Sequence, residues 1–151
     1  MPGNRTVKMN IWDTAGQEKY RSINRNLYLG ANGALLCFDL TRKLVNEDID
    51  LWRKEVLEHA GAKCSIVIVG TKSDMEISTE TRDNLEKYAK TNGFPFVETS
   101  SKTGSNVQEA FKAIANEIMS KEPKSKGSKE DEGGFALGNL GDVSKPKKPC
   151  C

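Results

Sequence analysis

The chain has 151 residues, 36% hydrophobic and 29% charged, with a formal net charge of +2. That length allows one domain with a core and is too short for two comfortable ones, and the near-neutral balance gives no case for nucleic-acid binding, which needs a concentrated basic face. No apolar run approaches the ~20 residues that cross a bilayer. Met1-Pro2-Gly3-Asn4-Arg5 is not followed by the hydrophobic stretch of a secretory signal, so a cytoplasmic chain is expected.

In chain order, Thr6–Trp12 alternates, with Val7, Met9 and Ile11 on one face, and predicts a half-buried strand. Ala34–Asp39 is a continuous apolar run ending in an acid, which predicts a strand covered on both faces. Asn46 as N-cap and Gly61 beyond the end bracket a helix, along which Ile49, Trp52, Val56, Leu57 and Ala60 fall at helical spacing. Trp52 is expected in the core and the lone His59 on the surface. Ser65–Gly70 reads as a second buried strand. Thr79–Asn92 predicts a helix with Leu85, Tyr88 and Ala89 inward and Gly93 as its stop, and Pro95–Thr99 a short strand. Ser105 with Gln108 three residues later predicts a capping box. The helix it opens carries the stripe Val107, Phe111, Ile114, Ala115 and Ile118. Strands alternating with helices predict an α/β fold, a mainly parallel sheet flanked by helices, with ligands at the carboxyl ends of the strands.

Two segments are expected: a domain over 1–121 and a tail over 122–151. The tail is dominated by Lys, Ser, Gly, Glu and Pro and cannot bury enough apolar surface to offset its ordering entropy. Its Phe135, Leu137 and Leu140 are either partner contacts or incidental. Cys37 and Cys64 lie in or beside apolar runs and read as reduced core or near-core thiols. Cys150 and Cys151 end the chain, where a vicinal pair has no packing role and lipidation is the reading left.

Trp12-Asp13-Thr14-Ala15-Gly16-Gln17-Glu18 is the most specific string. An acid at a strand's end can hold a magnesium ion through water. The small Ala15-Gly16 pair lets the backbone approach a terminal phosphate, and a glutamine beside it can orient an attacking water for in-line displacement.

On these residues the chain resembles the Rab branch of the Ras-like small GTPases, whose fold is a parallel sheet with flanking helices. The resemblance runs from Gly3 to Lys121 and includes the terminal cysteines. It implies that Asp13, Thr14, Ala15 and Gly16 belong to the phosphate and magnesium site and switch II, that Gln17 is catalytic, and that Glu18–Leu29 forms the rest of switch II, the segment that responds to nucleotide. Gly70-Thr71-Lys72-Ser73-Asp74 is similar to the family's Asn-Lys-x-Asp, with Thr71 in place of the usual asparagine. By resemblance Asp74 would set base choice, accepting from N1–H and the exocyclic amine of guanine, and Lys72 would lie along the base. Thr99-Ser100-Ser101-Lys102 is similar to Ser-Ala-Lys, with amides around Ser101 donating to guanine O6 and the Ser100 hydroxyl bracing Asp74. Leu27 and Leu29 replace the usual Tyr and Arg at positions that help form partner surfaces.

Further expectations follow from the resemblance. GTP or GDP with Mg2+ would be bound, GTP hydrolysed, and the protein would act as a switch in vesicle transport. Cys150 and Cys151 would receive two geranylgeranyl groups through a Rab escort protein and geranylgeranyl transferase, since two chains anchor stably where one does not. The tail lysines would add about 1 kcal/mol each against an anionic leaflet. Partners would include a GDP-dissociation inhibitor, a GTPase-activating protein (GAP), an exchange factor and effectors, at the cytosolic face of intracellular membranes.

No Gly-x-x-x-x-Gly-Lys-[Ser/Thr] phosphate loop occurs in the sequence, nor a threonine-bearing switch I before Asp13. Pro2-Gly3-Asn4 matches the hairpin between the family's second and third strands, so the sequence is expected to be N-terminally incomplete. Losing about five charge-assisted bonds at ~1.5–3 kcal/mol each removes roughly 7–15 kcal/mol. Nanomolar binding is worth only ~12 kcal/mol, so these residues alone are expected to bind nucleotide weakly or not at all and to show no measurable hydrolysis. The other reading is a non-hydrolysing, prenylated decoy for Rab regulators or effectors. The strands at Thr6 and Ala34 are expected either to re-pair or to leave a slot of about 10 Å, with low stability.

Overall fold

A computed structural model describes residues 6–14, 27–44 and 46–121. Its centre is β2, Ser65–Thr71, in which Ser65 through Gly70 are all buried. The β-branched run Ile66-Val67-Ile68-Val69 suits a strand covered on both faces. On one side β2 pairs in parallel with β1, Gly33–Asp39, in a register running from Gly33 opposite Ser65 to Asp39 opposite Thr71. On the other it pairs in parallel with β3, Phe96–Glu98, with Ile68 opposite Phe96 and Gly70 opposite Glu98. The described sheet therefore has the order β1-β2-β3.

Alternation along the strands feeds two cores. Leu36, Phe38, Ile66 and Ile68 pack with Ile49 and Val56 of α1, Asn46–Ala60, and with Leu85 and Ala89 of α2, Thr79–Asn92. On the opposite face Val67 and Val69 meet Ala110 and Ile114 of α3, Val107–Lys121. The result is the expected α/β fold, helices on both faces of a parallel sheet. No helix among the described residues is long and apolar enough to cross a membrane.

The two loops that leave β1 and β2 are held together by close packing. Leu40 is completely buried, and a Cβ on Gly70 would stand 2.8 Å from its side chain, so only glycine allows that approach. The Leu40 N–H donates to the Thr71 carbonyl, and its own carbonyl accepts from Ser78 N–H at 2.8 Å. Thr81, also buried, donates its hydroxyl to the Arg42 carbonyl at 2.8 Å. Ser78 caps α2 by accepting from Thr81 N–H, and Gly93 at φ +70° ends it, as glycine does in the left-handed region.

Five expectations need correction. Thr6–Trp12 forms no strand, and every one of its residues is exposed. The alternation is present, but an alternating segment becomes a strand only where a neighbour completes its backbone hydrogen bonds. Here Thr6–Met9 faces Ala115, Ile118 and Met119 of α3 across an open cleft of about 410 Å3, and the outer edge of β1 carries no strand among the described residues. Second, β1 is not covered throughout: α3 packs on Gly33 and Leu35, but Cys37, further along the same face, is exposed. Cys64 is buried as expected. Third, α3 starts at Val107 after Asn106 at φ +55°, in place of a capping box at Ser105; the Ser105 carbonyl instead accepts from Ser100 N–H. Fourth, Asn46 is the first residue of α1 and not a cap outside it. Fifth, His59 is half-buried with its ring edge-on to Tyr28. Trp52 packs partly buried against the larger core. The expectations for Ala15–Asn26 and for the tail 122–151 lie outside the described residues.

Candidate functional site

The carboxyl ends of β2 and β3 carry a connected set of polar residues. The Thr71 hydroxyl donates to the Phe38 carbonyl at 3.1 Å, which ties the end of β2 to β1. Lys72 then takes φ +62°, a left-handed value rare for a residue with a side chain. The Met75 N–H donates to the Lys72 carbonyl at 3.1 Å, closing a turn that presents Asp74.

From the β3 side, Thr99 N–H donates to the Gly70 carbonyl at 2.7 Å and Ser73 N–H to the Thr99 carbonyl at 3.1 Å. These bonds extend the β2–β3 pairing past the strands and seat the two loops side by side. Ser100 is fully buried, and its hydroxyl donates to Asp74 Oδ1 at 2.5 Å while accepting from Thr103 N–H at 3.2 Å. Lys102 Nζ lies 4.0 Å from Asp74 Oδ2, on a side chain 83% exposed. The Ser100 hydrogen bond, working against desolvation and aided by the backbone and Lys102, holds the Asp74 carboxyl below its ordinary range. At neutral pH this is an anionic acceptor fixed by a buried hydroxyl, able to take donor pairs from a flat polar ring.

On the β1 side, Asp39 accepts from Thr41 N–H at 2.9 Å and the Thr41 hydroxyl at 2.7 Å on one oxygen. Its other oxygen holds Lys72 Nζ at 2.7 Å, with Arg42 Nε at 3.8 Å. The Lys72 bond, with the Thr41 donors, lowers the Asp39 carboxyl to about 2.

Thr71, Lys72 and Asp74 thus stand beside Ser100, Ser101 and Lys102, as two adjoining loops. Asp13 is exposed and Thr14 half-buried. Among the described residues no hydrogen bond or ion pair joins either to the Asp74 loops. Ala15, Gly16, Gln17, Cys150 and Cys151 fall outside the described residues. No group of three or more His, Cys, Asp or Glu side chains gathers among the described residues where a metal could be held. Sequence reasoning missed Asp39 and Thr41. The signal was there, an Asp-x-Thr turn closing an apolar strand, but nothing local says that the acid will meet Lys72.

The chain is thus a three-layer α/β unit that carries these two loops at the carboxyl ends of a parallel sheet. The family model described as the Ras family matches residues 1–120. Among curated relatives, the Ras-related protein RABA2a of Arabidopsis thaliana is 38% identical over 156 residues, covering 97% of this chain and 72% of the relative. The Ras-related protein RabG2 of Dictyostelium discoideum is 44% identical over 115 residues, covering 76% and 58%. The Ras-related protein Rab-25 of Canis lupus familiaris is 37% identical over 156 residues, covering 100% and 73%. The chain belongs to the Ras family of small GTPases and is Rab-like.

Proposed function

We propose that the Asp74–Ser100 rim reads guanine and that the chain serves as the base-recognising part of a Rab-type GTP-hydrolysing switch in membrane traffic. The observation that carries this reading is the Asp74 carboxylate, kept anionic and oriented by the buried Ser100 hydroxyl at 2.5 Å. Two carboxylate oxygens side by side accept from N1–H and the 2-amino group of guanine. Adenine presents a ring-nitrogen acceptor and a C–H there, so it is rejected by unpaired polar groups rather than by size. Backbone amides around Ser101 would donate to O6, and Lys72 would wall the ring.

In the family's cycle Gln17 orients the attacking water and the Gly16 amide donates to the terminal phosphate. Asp13, a lone exposed carboxylate among the described residues, does not by itself make a magnesium site. Residues 1–121 form the nucleotide-binding domain and 122–151 the tail, which anchors the chain to the cytosolic leaflet through geranylgeranyl groups on Cys150 and Cys151. Escort protein, dissociation inhibitor, GAP, exchange factor and effectors are the partners that follow from that role.

Two charge-assisted bonds to the base contribute on the order of 3–6 kcal/mol, which corresponds to a dissociation constant near the millimolar range. The test measures GDP, ADP and xanthosine diphosphate affinities on the full chain and on a version with a family phosphate-loop segment added. GDP is expected to bind in both, far more tightly in the second. Asp74→Asn is expected to lower GDP affinity about tenfold or more and to raise that for xanthosine diphosphate, whose C2 carbonyl the amide can donate to. ADP binding as well as GDP in both chains would defeat the reading.

A further inference from the structure

We propose that Asp39 is a positioning residue of the base site: it draws the Lys72 ammonium toward β1, so that the lysine's methylene stem is what lies beside the base bracketed by Asp74. This rests on the guanine reading above and names a residue that the reading itself does not require.

The turn after β2 splits its two charged side chains. Asp74 is held toward β3 by Ser100, while Lys72 is held toward β1 by Asp39 at 2.7 Å. The space over the carboxyl end of β2 lies between them. Lys72 reaches Asp39 from a left-handed backbone at φ +62°, a conformation that costs a residue with a Cβ on the order of 1 kcal/mol and persists only where its surroundings hold it. An ordinary surface ion pair, worth about 0–1 kcal/mol, leaves long side chains free to wander. This pair differs on the acid's side. Asp39 is 21% exposed and already fixed by two bonds from Thr41, so the carboxylate is in place before the lysine arrives. Its depressed pKa, about 2, reflects the same set of donors and keeps it charged at any physiological pH. With the ammonium drawn to Asp39 at 2.7 Å, it is the position of the charge, not its number of donors, that keeps it toward β1. What Lys72 offers the ring is hydrocarbon.

A double-mutant cycle tests this, using four full-length chains: unmodified, Asp39→Asn, Lys72→Met and the pair. Each is titrated with GDP, followed by amide NMR shifts of Ser101 and Lys102. Asp39→Asn is expected to weaken GDP about fivefold when Lys72 is present and to have no effect in the Lys72→Met chain, where an uncharged stem needs no holding. Lys72→Met removes the ammonium that Asp39 holds, and the effect of Asp39→Asn is read against that chain's own GDP affinity. An equal loss in both backgrounds would mean that Asp39 merely stabilises its loop and would overturn the proposal, as would no loss in either. If Asp39→Asn does not fold, Asp39→Glu replaces it; that chain keeps the charge, and its weakening must likewise vanish with Lys72→Met. An unmodified chain that folds, gives sharp amide signals and takes up no GDP at millimolar concentration defeats the guanine reading and this proposal together. GDP uptake without the coupling defeats this proposal alone.

Discussion

The rim between β2 and β3 and the outer edge of β1 are both built from strand-forming sequence, and they end in opposite states. At the rim, backbone pairing continues beyond the strands, Ser100 is sealed, and its hydroxyl and the Thr71 hydroxyl both have partners. At the edge, Val7, Met9 and Ile11 are 45%, 40% and 65% exposed although they alternate as a strand should, and Trp12 beside them is 69% exposed. The difference is supply of a neighbour. The rim's partners all lie within the described sheet, whereas Thr6–Trp12 has no ladder to join there. Alternation is a statement about which face would be buried; it does not create the surface that buries it.

The sharpest way to break this contrast is at Leu40, fully buried on Gly70 beside the rim. Leu40→Ala is expected to cost about 2–5 kcal/mol, measured by urea unfolding of the full chain. A loss below about 1 kcal/mol would mean that the rim is no better packed than the edge. A smaller effect is expected from acid. The Asp39 carboxyl is held at about 2, below its ordinary 3.8, so the folded state favours its ionised form. Its contribution is therefore complete above the unfolded value and is lost as pH falls from about 4 through about 2. Asp39→Asn should flatten that limb of the stability–pH curve; an unchanged limb would mean that the Lys72 pair does not hold in solution. The smallest effect is expected at the edge, where Ile11→Ser should change stability by no more than about 0.5 kcal/mol. A cost above 1 kcal/mol would show the segment packed and end the comparison.

Much of the fold could be read from the chain. The span of α2 was predicted residue for residue, and Gly93 ends it in the left-handed conformation that its sequence position suggests. The buried run from Ile66 to Val69 is central, as its unbroken apolar character requires. Helix boundaries were less legible: Asn106, not a Ser105 capping box, precedes the last helix, and the Ser105 carbonyl accepts from Ser100 N–H. Cys37 looked internal from its apolar neighbours, yet α3 covers only the first part of β1. The candidate base site divides in the same way. Asp74, Ser100 and Lys102 stand in short strings that carry their own signal, while Asp39 reaches Lys72 only across paired strands.

By itself the sequence determined the class of fold, the order of the strands and helices from Gly33 onward, and the two short strings that meet at the rim, because periodicity, turn residues and apolar runs act over a few residues. Tertiary structure alone decided that Asp39 would meet Lys72, that Gly70 would make room for Leu40, and that Thr6–Trp12 would join no strand among the described residues. Those outcomes depend on which surfaces come together across the sheet, and no local window of sequence contains both sides of such a contact.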